Sequence, residues 1–105
     1  MMTMRKIEKL EKQIYEEYCD AEKYITCALL NKEEDQKLAD TYAKLAQEEL
    51  DHAAILHDAV RRLIEDYKTK NGEPPEAMMT VYKILHERDV EYATKVKIMV
   101  QQYKG

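Results

Sequence analysis

Two polar residues of the sequence, Glu49 and His52, stand where a helix would place apolar ones. They belong to a series in which steps of four and three residues alternate, and the other seven members are Leu, Tyr or Ala: Leu38, Tyr42, Leu45, Glu49, His52, Leu56, Ala59, Leu63 and Tyr67. Residues three apart share a helix face, so the motif predicts a carboxylate and an imidazole directed at one point in the interior. A metal ion would compensate the buried charge, and a histidine hydrogen-bonded to a core glutamate is the alternative.

An earlier stretch of the chain supplies acids that could complete such a site. Glu17 and Glu22 flank the apolar stripe of the first predicted helix on opposite edges, so either could reach the interior, and the spacing does not choose between them. The stripe contains Ile7, Leu10, Ile14, Tyr18, Ala21, Ile25 and Ala28. Tyr24 follows Glu17 by two helical turns on the same edge, where its phenol could join or cover the site. A half-buried packing role for Tyr24 is the alternative. A set of carboxylates with one histidine per metal suits iron or manganese better than the thiolate sites of structural zinc.

Three other polar residues are predicted to lie at the surface of the helices. His86 and Asp89 lie on the shoulder of the third predicted helix, in line with Tyr82, Ala93 and Val100, and we interpret them as a surface pair, with metal binding as the alternative. His57 lies off the main stripe of the second helix and is expected to be exposed.

Hydrophobic periodicity predicts an all-α fold of three helices, over about 4–30, 35–70 and 76–103. The breaks between them are a polar stretch at 31–36 and Asn71-Gly72 followed by Pro74-Pro75. A second line of small residues on the second helix predicts that this helix is contacted on two sides: Ala39, Ala46, Ala53 and Val60. The main face predicted for the third helix contains Met78, Val81, Leu85, Tyr92, Val96, Met99 and Tyr103.

Composition excludes several functional classes for these 105 residues. The 17 basic and 21 acidic residues are interleaved, which argues against a nucleic-acid groove, and no apolar run approaches the length of a membrane span. The first twelve residues contain neither a signal core nor a transit pattern, so we expect a cytoplasmic protein. Cys19 and Cys27 are eight residues apart on one helix, too far for a disulfide, and reduced thiols fit that expectation.

One chain offers half of a di-iron ligand set. Such bundles take a Glu from each of two helices and a Glu-x-x-His from each of two others, whereas the third predicted helix here has no second such motif. A twofold dimer of the first two helices would supply the other half by symmetry.

The segments Glu16-Glu-Tyr-Cys-Asp-Ala-Glu-Lys-Tyr24 and Leu45-Ala-Gln-Glu-Glu-Leu-Asp-His-Ala-Ala-Ile-Leu56 resemble the ferritin-like superfamily, especially the short encapsulated ferritins and the rubrerythrins. The resemblance covers about residues 14–63. It implies one ferritin-like helical domain over 1–105, with a four-helix bundle completed by dimerisation. It also implies a shared di-iron ferroxidase centre, with Glu17, Glu49 and His52 as ligands and catalytic residues and Tyr24 as a weaker contact. Iron is the expected metal, with manganese or zinc as alternatives.

The resemblance leaves partners and related functions to be decided. A homodimer or higher homo-oligomer is expected, and an encapsulin shell is a further candidate partner, although 99–105 does not resemble the targeting tag of encapsulated ferritins. A rubrerythrin-like peroxide-reducing or oxidase enzyme is the alternative, in which the third helix could offer Glu87 or Glu91. Periodicity instead predicts that both of these acids are solvated. A metal-free helical interaction module is the other alternative.

Overall fold

The computed structural model describes residues 2–105 and folds them into three helices. These are α1 (Met2–Asn31), α2 (Gln36–Asn71) and α3 (Glu76–Lys104), and no strand occurs in this range. The all-α prediction is confirmed, and each helix begins and ends within two residues of its predicted position. None of the helices formed by 2–105 is both long enough and apolar enough to cross a bilayer.

The helix ends follow from local chemistry. The Asp35 side chain accepts a hydrogen bond from the Leu38 N–H at 3.1 Å and so satisfies one free donor at the start of α2. Gly72 ends α2 with a φ of 80°, and its N–H donates to the Lys68 carbonyl. Pro75 then precedes the first residue of α3. The two connections are therefore short, and each reverses the chain.

The helix α1 lies between the other two. It packs along α2 and also along α3, whereas the backbones of α2 and α3 lie apart and the two helices meet through a few side chains, such as His57 with His86 and Asp40 with Tyr103. The Tyr15 ring meets the Tyr92 ring, and farther along both helices Lys32 donates to the Tyr103 carbonyl, so α1 and α3 run parallel. The molecule is a narrow body of 56 × 18 × 18 Å with a groove between α2 and α3, whose floor is α1.

The core of the α1–α2 hairpin forms along the line of small residues on α2. Ala39, Ala46, Ala53 and Val60 are fully buried against α1, as expected for a helix that approaches its neighbour closely. The stripe that was predicted to face the interior lies instead at the edge of the hairpin. There the His52 side chain is 53% exposed, so its predicted burial is wrong, and Glu49 is 19% exposed. The reason is that α3 packs on α1 and leaves this side of α2 uncovered.

The buried face of α3 is wider than the predicted one. Met78, Val96 and Tyr103 are buried, as predicted for the main face. Val81, which was assigned to the main face, is exposed, whereas the predicted shoulder is buried at Asp89, Ala93 and Val100. Asp89 is only 3% exposed, so its interpretation as a surface residue is wrong. The predicted main face was built from apolar residues alone. It therefore missed the line of Asp89, Ala93 and Val100, because this line contains a carboxylate.

Candidate metal centres

The structure brings Glu17, Glu49 and His52 together at the edge of the α1–α2 hairpin, and we call these three residues the outer site. One ligating atom from each lies within 4.8 Å of the other two. The His52 Nδ1 atom is 3.5 Å from Glu17 Oε2 and 3.7 Å from Glu49 Oε2. The predicted juxtaposition of these side chains is therefore present, and their role as metal ligands stays a prediction.

The electrostatics of the outer site favour a cation. Hydrogen bonding with the Glu17 carboxyl raises the pKa of Glu49, and burial and the Glu17 charge act in the same direction. Glu17 Oε2 is buried, and no hydrogen bond reaches it from residues 2–105. Two carboxylates that compete for one proton and one histidine carry more negative charge than the protein compensates, and a divalent metal ion would remove that excess.

Leucines surround the outer site on α2. Leu45, Leu56 and Leu63 are half-buried and Leu38 is exposed, and all four continue the line of Glu49 and His52. We call these four residues the leucine line. An apolar stripe that flanks a partly open polar site on both sides is typical of a surface that another protein chain covers.

Glu22 does not belong to the outer site. Its Oε1 accepts a hydrogen bond from the Tyr92 hydroxyl at 2.7 Å, and Lys95 Nζ lies 2.6 Å from its Oε2. Lys95 first, and then Tyr92, lowers the pKa of the Glu22 carboxyl. The structure therefore separates the two acids that spacing could not distinguish, because Glu22 faces α3 and Glu17 faces α2.

The remaining predicted contributors lie apart from the outer site. Tyr24 stacks on Tyr42 of α2 with ring centroids 6.4 Å apart, in line with its alternative packing role. Glu87 and Glu91 are exposed on α3, which packs on another side of α1, as the solvated interpretation predicted.

Sequence reasoning missed a second cluster, Glu11, His57 and His86, which we call the inner site. Again one ligating atom from each lies within 4.8 Å of the other two, and each of the three helices supplies one residue. His57, which was expected to be exposed, is half-buried, as is His86. The signal for Glu11 was available, because it fills a gap in the alternating series Ile7, Glu11, Ile14, Tyr18, Ala21, Ile25 and Ala28.

Burial dominates the titration of the inner site. Removal from water, followed by the neighbouring Asp89 carboxylate, raises the pKa of Glu11 to about 8. Burial also lowers the pKa of His57, and the nearby His86 adds to that effect. Both shifts favour the uncharged forms of these two side chains in the metal-free protein.

In comparisons with known proteins, no family model, no curated protein and no solved structure matches the chain.

Proposed function

We propose that the chain is a ferritin-like iron-binding protein that oxidises Fe²⁺ with dioxygen at a di-iron site shared across a homodimer. The observation that carries the proposal is the convergence of Glu17, Glu49 and His52, whose ligating atoms lie within 4.8 Å of one another. Two carboxylates and one imidazole are the donor set that iron and manganese accept, and zinc is a weaker alternative.

The position of the outer site supports a shared centre. Three ligating groups leave open positions on a metal ion, and the site opens at the molecular edge, where the His52 side chain is 53% exposed. The leucine line extends along α2 on both sides of it. A second copy related by a twofold axis would bring another Glu17, Glu49 and His52 to the same place and cover the leucines.

The residues of the outer site would have different roles in this reaction. Glu49 and Glu17 would hold positive charge, and the half-buried leucines would limit the access of water. The iron pair would supply two electrons, which reduce one dioxygen molecule to hydrogen peroxide with the uptake of two protons. His52 Nδ1 lies close to both carboxylates, and the imidazole would be the third donor to the same ion.

The test compares the oxidation of added Fe²⁺ by the unsubstituted protein with that by Glu49→Gln and His52→Gln. We expect each variant to oxidise iron at least about 100-fold more slowly, because loss of a ligand exceeds the 10- to 100-fold effect of a supporting residue. Glu48→Gln is the matched control, since Glu48 is an exposed neighbour on the same helix. Equal rates for Glu49→Gln and Glu48→Gln would refute the proposal.

An anaerobic Fe²⁺ titration tests whether the centre is shared. The double variant Glu49→Gln/His52→Gln should bind one iron per chain less than the unsubstituted protein, and sedimentation should show a dimer. A loss of two per chain would mean that each chain holds its own metal pair. If no iron binds at the outer site but the dimer persists, the metal-free interaction module would be correct, and the 3.5 and 3.7 Å His52–carboxylate contacts would then serve to fix its register.

A further inference from the structure

The inner site contains a fully buried carboxyl group, Glu11, which faces the Asp89 carboxylate and is only partly offset by the charge of Arg88. Glu11 is 0% exposed, and neither of its two carboxylate oxygens has a hydrogen-bond partner among residues 2–105. An unpaired buried polar group costs about 1–3 kcal/mol, so such groups are rare and call for an explanation. The outer site does not provide one, because Glu11 precedes Glu17 by six residues, about 9 Å along α1.

Two imidazoles face this carboxylate from different helices. His57 of α2 and His86 of α3 stack with ring centroids 4.9 Å apart, and Tyr82 stacks on the other face of His86 at 5.4 Å. His86 Nδ1 is itself buried without a hydrogen-bond partner in the described part of the chain. The site therefore has an unpaired imidazole nitrogen and an unpaired carboxylate, both of which are metal-ligating atoms.

A fourth polar residue closes one side of the cluster. Asp89 follows His86 by one helical turn, and its carboxylate opposes the ionisation of the Glu11 carboxyl group. Arg88 donates to Asp89 Oδ1 at 3.3 Å, whereas Oδ2 is buried without a partner in 2–105. Arg88 can therefore balance the charge of Asp89, and a metal ion would balance the charge that Glu11 acquires when it loses its proton to bind the ion.

The groove between α2 and α3 gives access to the cluster. A cavity of about 290 Å³ is lined by His57, His86 and Asp89, and Arg61 and Lys97 are also in its wall. Two histidines and one carboxylate, with free positions facing a cavity, form the ligand set of mononuclear ferrous sites and of catalytic zinc sites.

We propose that Glu11, His57 and His86 form a second metal site, which binds one divalent transition-metal ion of the zinc or ferrous class independently of the outer site. The ion joins all three helices, because each helix supplies one ligand. Its free coordination positions face the cavity, where a water molecule or a small anion can bind.

The experiment isolates the inner site by removing the outer one. In the variant Glu17→Gln/Glu49→Gln/His52→Gln, titration with Co²⁺ should show one ion per chain, with the visible absorption of a nitrogen-ligated ion, and Zn²⁺ should displace it. Adding Glu11→Gln or His57→Gln to this background should weaken binding at least about 100-fold. Adding Glu8→Gln, an exposed position one turn earlier, should leave the affinity unchanged.

Two results would overturn the inner site. One is the absence of saturable Co²⁺ binding in the triple variant, and the other is equal affinity with and without Glu11→Gln and His57→Gln. Circular dichroism checks the helicity of every variant. A second measurement needs no substitution, because Zn²⁺ should shift the imidazole ¹⁵N resonances of His57 and His86, whereas a shift of His52 alone would contradict the proposal. Failure of iron oxidation at the outer site affects neither readout.

Discussion

The outer and inner sites use the same kinds of side chain but differ in how the protein compensates their charge. At the outer site His52 lies close to both carboxylates, and 53% of its side chain is exposed. At the inner site Glu11 is 0% exposed and both of its oxygens lack a partner in the described chain. Water therefore lowers the energetic cost of the outer site in the single chain, whereas the inner site destabilises every metal-free molecule.

The largest predicted effect concerns the second copy of the chain that we propose to complete the outer site. Leu45→Asp places a charge on the leucine line one turn before Glu49, so we expect the dimer to dissociate at least about 100-fold more readily, or about 2.7 kcal/mol. Sedimentation at several protein concentrations measures this change. Ile55→Asp is the control, because Ile55 is 67% exposed and lies off the leucine line. Equal dissociation of both variants would show that the leucine line is not the interface.

The next effect separates the two sites by stability. Glu11→Met keeps a side chain of similar length and removes the unpaired carboxyl, so the free energy of unfolding without metal should rise by about 2 kcal/mol. Urea unfolding in the presence of a chelator measures it. The same change at the outer site, Glu49→Met, should give a gain of less than about 0.5 kcal/mol, since Glu49 already has partners. Destabilisation by Glu11→Met would mean that the carboxyl is paired in solution.

The pH dependence of stability should come from the inner site. The pKa of Glu11 is raised from 4.5 to about 8, so between these values the folded chain holds a proton that the unfolded chain has lost. Stability without metal should therefore fall as pH rises through this window, by at most about 1.4 kcal/mol per pH unit for one proton. The difference in unfolding free energy between the unsubstituted protein and Glu11→Gln isolates this contribution from those of His57, His86 and Asp89. A difference that does not change with pH would contradict the assignment.

The smallest predicted effect concerns Glu22, which belongs to neither the outer nor the inner site. Lys95 and Tyr92 lower the pKa of Glu22, so its stabilising contribution is present above pH 4.5 and is lost as pH falls through the lower folded-state pKa. Glu22→Gln should reduce the free energy of unfolding by about 1 kcal/mol at neutral pH and by much less at pH ~3. Iron oxidation should be unchanged, whereas a loss of oxidation equal to that of Glu49→Gln would place Glu22 in the metal centre.

The sequence predicted the helices and the outer cluster because both depend on spacing within one helix. Glu49 and His52 share a face by their separation alone, and Asn71-Gly72 with two prolines ends α2 in any context. The choice between Glu17 and Glu22 depends instead on which neighbour covers which edge of α1. This is a tertiary property, which spacing within α1 does not determine.

The inner cluster escaped prediction for a different reason. A core series chosen from apolar residues takes Leu10 in place of Glu11 and passes over Asp89, although both acids occupy positions of an alternating series. The sequence also did not predict that the main stripe of α2, which contains Glu49 and His52, is partly exposed. Two lines of residues on α2 were suitable for burial, this stripe and the line of small residues. Only the side on which α3 packs decides between them.

The central position of α1 has a consequence for how the molecule opens. Since α3 packs mainly on α1 and meets α2 through only a few side chains, α3 can detach while the more extensive α1–α2 hairpin stays folded. Backbone amides of α3 should then exchange with solvent through this partial opening, ahead of those of the hairpin. The same event separates His86 from Glu11 and leaves Glu17, Glu49 and His52 in place. The lifetime of an ion at the proposed inner site would therefore be limited by the detachment of one helix, whereas an ion at the proposed outer site would not depend on it.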